Sequence, residues 1–593
     1  MSAARLTAAA TALAAGSLLA GSAPTAQVAF DAPNSAAVAA AQWADYRADA
    51  PKTIVDLQPF RRTVSEEFTV AGRQGSAMLI DLNPDSNAWF LLTLRRADNV
   101  PSSYHLENPQ PATQSLALAS DGIHLTASGS SVNCSLWSDG QGTVLQQAQR
   151  SNLPYAPLCG GRLYLRNFVA GTYTHLERVT NFLRDDVWGG ERIVGFVRKQ
   201  FFEDAFIEKG AAVTTPSLGA ASGAVRDGPP TPSIDPAFAA ASVIPEHLGI
   251  DVGQGSGALR LGRWYPVREA PGIYLSLFQP QAAGASVSSH SKTVNPLDAV
   301  EAGAVDYLLA MDLGRFDLRF ALGTDHPRVE WSPRARDSVR NDKLAGPDGI
   351  GSVKPLVVNG IVNPAAVESV AVTFAGGFKR EHGAFRSGTL ALQNHGSHYG
   401  FIEQGVVFSK LQPGLATLVV MDDGQVQMTT WVADDEALLP HIRFARQNGV
   451  PLIDYDEATG ASSPGALVNN WAAGNWSGSD DERLRTLRAG ACLRVAGDAR
   501  YLVFGYFSTA TPSAMARVFQ AYGCRYAMHL DMNALEHTYF ALYTLQAGRI
   551  VVQHLIEGMA DVDRKGGNEL APRFLSFPDD RDFFYLTRKK ATL

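Results

Sequence analysis

The sequence predicts an α+β chain: a β-rich N-terminal domain that ends in a helical pair, a linker, and a mixed α/β C-terminal domain. Three observations predict it. From about residue 50 to 170, short apolar runs alternate with clusters of Gly, Ser and Asn, the signature of strands joined by turns. Residues 209–248 are rich in Pro, Gly and Ala, a composition that buries little apolar surface and reads as a linker. Near the C-terminus, a strand, a well-capped helix and a second strand follow one another.

The elements follow in order. Residues 1–26 read as a signal peptide. Arg5 supplies the positive start, Leu6 to Ala20 is uncharged and rich in Ala and Leu, and small residues follow at Gly21-Ser22-Ala23 and Thr25-Ala26. An uncleaved Ala-rich helix is the alternative. Residues 27–208 form the expected N-terminal domain, whose role the sequence does not give. Ser76–Leu82 and Trp89–Leu94 flank Asn83-Pro84-Asp85-Ser86-Asn87 as a hairpin. Leu176, Val179, Phe182, Leu183 and Val187 recur at helical spacing, as do Ile193, Val194, Val197 and Phe201, with Gly189-Gly190 between them.

The C-terminal domain is expected over 249–593. Asp306–Leu313 and Phe316–Leu322 are predicted strands on either side of Gly314, and Leu415–Met421 and Val426–Val432 flank the turn Asp422-Asp423-Gly424. Arg488–Val495 and Tyr501–Phe507 flank Gly497-Asp498. Thr511 is placed to cap a helix that Pro512 opens, Met515, Val518, Phe519 and Tyr522 form its apolar stripe, and Gly523 ends it. Cys524–Leu530 is the next strand, with Asp531 at its end, where a strand-to-loop transition commonly carries a site.

The chain has 593 residues, 46% hydrophobic and 18% charged, with a formal net charge of -7. That fits a globular protein with a full core and excludes a nucleic-acid footprint. After leader removal no apolar run of about 20 residues is left to span a membrane. Cys134, Cys159, Cys492 and Cys524 allow three pairings, of which Cys134–Cys159 with Cys492–Cys524 is the simplest in an oxidising compartment. Four buried thiols are the alternative. The expected location is a periplasm or the cell exterior.

Several segments, in order, resemble the phosphodiester glycosidase family. Ser369 to Gly383 reads SVAVTFAGGFKREHG. It is similar to the family's apolar strand ending in Asn-Gly-Gly-Phe at Gly376, Gly377 and Phe378, with Ala375 in place of the Asn. Ala445-Arg446-Gln447-Asn448 followed by Pro451-Leu452-Ile453-Asp454 resembles a second segment, and the strand from Arg488 a third. The family's helix, Gly and strand ending in Leu-Asp-Gly-Gly-Gly-Ser is matched in order by a strand ending Leu530-Asp531-Met532-Asn533-Ala534-Leu535-Glu536, with the glycines replaced. The resemblance covers roughly residues 265 to 575. It implies an exported hydrolase acting on a phosphodiester-linked or related glycoside of a cell-envelope or extracellular polymer. Loss of the Asn and the glycines keeps a second implication open, a non-catalytic glycan- or envelope-binding protein on the same fold.

Cleaving a sugar phosphodiester needs cations for the phosphate, a proton carrier, and carboxylates facing an oxocarbenium-like sugar. Asp531, Glu536 and His537 are the candidate catalytic residues. Gly376, Gly377, Phe378, Lys379, His382, Arg446, Asn448, Arg488 and Asn533 are the candidate substrate-binding residues, with Arg380 as a further cation. His529 alternates with Leu530 in the strand and reads as a core histidine. No compact zinc motif occurs. His395 and His398, three residues apart, leave a divalent metal as an alternative to a cofactor-free site. The partner implied is a carbohydrate or phosphodiester-linked glycan.

Overall fold

A computed structural model describes residues 35–48, 50–96, 100–139, 142–173, 206–208, 212–213, 228–253, 257–285, 287, 291–326, 328–332, 335–380, 383, 385, 388–393, 400–470, 483–566 and 569–590. The predicted leader, the predicted helical pair near 175–201, and His382, His395 and His398 lie outside these residues. The class is α+β and strand-rich, and every ladder between the described strands is antiparallel.

The N-terminal unit carries a six-stranded sheet in the order Arg62–Val70, Arg73–Asp81, Trp89–Arg95, Ser102–Glu107, Leu163–Arg166, Tyr155–Leu158, beside a three-stranded sheet over Gln114–Cys134. The expected hairpin is there: Arg73–Asp81 pairs with Trp89–Arg95. Its turn is closed by the Asn83 side chain, whose Oδ1 accepts from Asp85 N at 3.1 Å. Both disulfides form, Cys134–Cys159 and Cys492–Cys524.

The C-terminal unit packs an eight-stranded sheet against two five-stranded ones. The eight-stranded order is Tyr265–Pro266, Ile273–Phe278, Asp306–Asp312, Ala499–Ala510, Thr486–Ala496, Tyr526–Met532, Pro451–Asp456, Ala461–Pro464. Ala499–Ala510 and Tyr526–Met532 each lie antiparallel to Thr486–Ala496 between them. They are therefore parallel to each other, and the helix Pro512–Ala521 is the crossover that parallel strands require. Thr511 Oγ1 caps it by accepting from Ala514 N at 3.1 Å. Gly490 and Gly505 pair across the sheet beneath it. A Cβ at Gly490 would lie 2.9 Å from Phe519 Cε2, so these glycines let the helix settle on the sheet. Asp306–Asp312 and Phe316–Ala321, both predicted, belong to different sheets: Gly314 is where the chain passes from the eight-stranded sheet to the five-stranded one ordered Phe316–Ala321, Phe583–Arg588, Val370–Ala375, Phe540–Gln546, Arg549–His554. The second five-stranded sheet contains Phe401–Glu403 and the expected hairpin of Ala416–Met421 with Val426–Thr430.

Two features depart from the organisation the sequence suggests. Within the stretch read as a linker, residues 228–248 lie against the C-terminal unit: Trp264 Nε1 donates to Pro230 O at 3.0 Å, and Ser233 N to Ala521 O at 2.7 Å. Proline removes donors without removing apolar surface, so this segment packs where its composition suggested a tether. The N-terminal unit is also bound closely to the C-terminal one. Ile54, Leu57, Trp89 and Leu91 share one apolar core with C-terminal residues. Gln58 grips Val407 at both backbone groups, at 2.7 and 2.8 Å. Arg166 stacks 4.1 Å from the Trp89 ring, pairs with the buried Glu107, and donates to Val357 O at 3.1 Å. His105 Nδ1 accepts from Val357 N at 2.9 Å.

Glu403 is buried behind that seam, where Leu322 N donates to it at 3.0 Å. Burial pushes its pKa from 4.5 up to about 7, although Arg166 pulls the other way. A raised carboxyl favours the fold fully below the unfolded value and loses that contribution as pH rises through the folded one. Glu403→Gln is therefore expected to match the parent stability near pH 4, where both side chains are neutral. At pH 8 it should exceed the parent by about 3 kcal/mol. Chemical denaturation at the two pH values measures this, and an equal difference at both would defeat the assignment.

Candidate functional site

The predicted site residues are gathered around a segment that sequence reasoning passed over, Pro578-Asp579-Asp580-Arg581-Asp582. It leads directly into the apolar strand Phe583–Arg588. All four charged residues are buried. Their backbone is fixed on both sides: Asp579 N donates to Gly360 O, and the carbonyls of Asp579, Asp580 and Asp582 accept from Thr324, Asp325 and Gly376 N at 2.9, 3.2 and 2.9 Å. Each charged side chain then finds a partner from elsewhere in the chain, as burial of charge demands.

Asp579 takes a bidentate pair from Arg573 at 2.7 and 2.9 Å. Arg573 Nη1 also donates to Glu536 O at 2.6 Å, which ties the loop after Asp531 to this segment. Asp580 accepts from Lys379 Nζ at 2.7 Å, and Asp325 accepts from the same ammonium at 3.1 Å. Lys379 also lies 5.2 Å from the Tyr173 ring. Thr172 N donates to Pro578 O at 3.0 Å, so the end of the N-terminal unit reaches this junction.

Arg581 joins two of the predicted catalytic residues. Its Nη1 donates to Asp531 Oδ2 at 2.6 Å and its Nη2 to His537 Nε2 at 2.7 Å. His537 Nδ1 lies 2.8 Å from Met532 O. A carbonyl only accepts, so Nδ1 carries the proton and Nε2 accepts from Arg581. His537 is thereby held as the neutral Nδ1–H tautomer, with both ring nitrogens engaged. Asp531, 5% exposed, also accepts from Met532 N at 2.8 Å. A carboxylate with two hydrogen bonds has further lone pairs to offer a ligand.

Asp582 lies between His326 Nδ1 at 2.8 Å and Arg446 Nε at 2.6 Å. Burial alone would raise its pKa, but Arg446 and then His326 outweigh it and hold the carboxyl well below the usual range. Arg446 is fully buried and spends its other N–H groups on Gln447 O and Asn448 Oδ1, both at 2.8 Å, and on Phe378 O at 2.7 Å. The two glycines make room for this. A Cβ at Gly376 would lie 2.6 Å from Asp582 Oδ2, and one at Gly377, where φ is +134°, would lie 2.7 Å from Arg446 Nη1. Phe378 is buried beneath them. Asn448 Nδ2 donates to His529 O and Leu530 O, fastening this corner to the Asp531 strand.

Arg488 is likewise fully buried. Its Nε donates to Ala510 O at 2.7 Å, Nη2 to Leu484 O at 3.1 Å, and Nη1 lies near His529 Nε2 and Met532 Sδ. Burial and then the Arg488 charge push the His529 pKa well down, so it is the neutral core histidine the sequence suggested. Arg380 pairs with the buried Asp348 at 2.6 Å. Asn533 has φ 81° and is held by Leu487 O and the Thr486 hydroxyl. Asn tolerates the left-handed region better than most residues, which is how this loop turns without a glycine.

The structure thus brings Asp531, near the end of its strand, and His537, on the loop that follows, together at Arg581, while Glu536 is tied to Arg573 through its backbone carbonyl. It departs from the sequence expectation for Arg446 and Arg488, which were candidate phosphate ligands. Their guanidinium groups are buried and directed at protein carbonyls, a buried carboxylate, and the imidazole and thioether of the Asp531 strand. Among the described residues, no group of three or more His, Cys, Asp or Glu side chains is arranged to hold a metal.

No protein-family model and no curated protein matches the chain. The solved structures that it is similar to include these two. One, a "hypothetical protein" from Synechocystis, has 9% identity and a TM-score of 0.21 over 89% of this chain and 97% of that one. The other, a "Putative exported protein" from Burkholderia pseudomallei, has 12% identity and a TM-score of 0.17 over 50% of this chain and 76% of that one.

A structural role for Arg446 has a measurable consequence. Arg446→Lys keeps the charge but cannot reach Asp582, Asn448 and two carbonyls together. It is expected to lower unfolding stability by about 3–5 kcal/mol, the cost of breaking a buried pair. A solvent-facing phosphate ligand would leave the denaturation midpoint nearly unmoved.

Proposed function

We propose that the chain is exported to a periplasm or cell exterior, where its C-terminal unit hydrolyses a phosphodiester-linked or related glycoside of a cell-envelope or extracellular polymer. Export is supported by the leader-like start and by two disulfides with no free cysteine among the described residues. The reading of the site is supported by the family resemblance. The observation that carries it is the meeting of Asp531, Arg581 and His537 across the loop the resemblance singles out.

On this reading Asp531 faces the positive charge that develops on the sugar, and Glu536 is the second carboxylate. Arg581 holds the Asp531 carboxylate in place. His537, with both nitrogens engaged, positions Arg581.

A second reading, a non-catalytic glycan- or envelope-binding protein, is favoured by one observation: Arg446 and Arg488 are committed to the protein itself. Assay of the full chain against bis(4-nitrophenyl) phosphate and a panel of 4-nitrophenyl glycosides separates the two. Hydrolysis is expected, and Asp531→Asn should lower turnover about 100-fold, the scale of a lost catalytic carboxylate. The melting temperature is read in parallel, since the variant also weakens the hold on Arg581. Retention on envelope glycan without turnover of any reporter establishes the second reading. Turnover untouched by Asp531→Asn removes this carboxylate from the mechanism.

A further inference from the structure

Away from the charged junction, a recess of about 400 Å3 opens where the eight-stranded sheet meets the five-stranded sheet containing Phe583–Arg588. Its floor is apolar and buried, made by Ile273 from the first sheet and by Phe316 and Tyr543 from the second. Its rim is cationic: Arg315, Lys589 and Lys590 are all exposed. One wall is Arg588, whose guanidinium is anchored to the carbonyls of Val370 and Tyr543 and therefore cannot swing away.

Of the four cations, Arg588 and Lys589 are held by backbone carbonyls, Lys589 Nζ by Leu313 O at 2.8 Å, which leaves Arg315 and Lys590 to present charge at the opening. The acids nearby are few and loosely engaged. Asp312 lies 3.5 Å from Arg315 and Asp317 lies 3.7 Å from Lys589, with Arg315 60% and Lys589 39% exposed. Ion pairs this open to water contribute little. Glu269, the acid lining the recess, already accepts from Gln546. The volume lies within the range of small-molecule sites.

An apolar floor under a cationic rim selects a ligand that has both parts. A bare anion would leave the floor wet, and a neutral apolar molecule would leave the rim unanswered. We propose that this recess binds a small amphiphilic organic anion, a short alkyl or aryl body carrying a phosphate-like head, with the body against Phe316 and Ile273 and the head at Arg315 and Lys590. None of Asp531, Arg581 and His537 lines it. The site is separate from the one proposed for hydrolysis and stands or falls without it.

Calorimetric titration of the full chain with n-octyl phosphate, below its micelle concentration and at low salt, tests the proposal. Saturable binding is expected, weakening as salt is raised. Inorganic phosphate and 1-octanol should each bind at least about tenfold more weakly, since each satisfies one half of the recess. Arg315→Glu and Lys590→Glu reverse exposed charges and should leave the melting temperature unchanged. Together they should weaken octyl phosphate about tenfold, the scale of two exposed charge contacts. Asp531→Asn should bind as the parent does. Absence of binding, inorganic phosphate binding as tightly as octyl phosphate, or an unaltered affinity in the double variant overturns the proposal.

Discussion

The Arg446–Asp582 pair is the interaction on which the rest of the C-terminal unit depends. It is wholly buried, with Nε 2.6 Å from Oδ2, and its geometry dictates residue choice at a distance. Gly376 and Gly377 are required because a side chain there would strike Asp582 or Arg446. Asn448 is required because it turns Arg446's remaining donors into a link to the strand that ends at Asp531. His326 Nδ1 lies 2.8 Å from the second carboxylate oxygen. Residues separated by more than a hundred positions are fixed by one guanidinium whose fork geometry lysine does not reproduce.

The same logic extends along Asp579–Asp582. Each side chain of this short run reaches a different part of the chain: Arg573 and through it Glu536, Lys379 and Asp325, Asp531 and His537, then Arg446 and His326. Buried ions are a poor source of net stability but a strong source of uniqueness, since any misplacement strands a charge. A segment with four such constraints therefore specifies where three sheets and the end of the N-terminal unit meet.

Much of the fold was legible in the sequence because it is written locally. The Thr511-Pro512 start and Gly523 end of the crossover helix, the Asn83 and Gly424 turns, and the two disulfides each rest on residues close in the chain or on simple pairing. What was illegible is non-local. Arg446 and Arg488 resembled ligands because an arginine in a motif-like segment reads the same whether it faces a phosphate or a carbonyl. Only the positions of Phe378 O, Ala510 O and Asp582 decide. The linker misled for a related reason. Proline-rich composition signals missing donors, yet a segment with few donors packs well when its remaining groups find partners such as Ala521 O.

Asp579–Asp582 escaped notice because Pro-Asp-Asp reads as a turn. The signal was the continuation. A run of four charged residues that leads without a spacer into Phe583-Phe584-Tyr585-Leu586 cannot stay in solvent while the strand is buried on both sides. The backbone entering a buried strand carries its last side chains in with it. Such charges must meet opposite charges of comparable burial, and the chain offers few that are not plainly exposed: Lys379 beside Gly377-Phe378, Arg446 in a buried strand, Arg573 after a proline. Matching isolated cations in apolar contexts to a charged run at a strand entrance would have found these partners. It is a constraint from desolvation rather than from motif, and it applies wherever a strand that is apolar on both faces begins with ions.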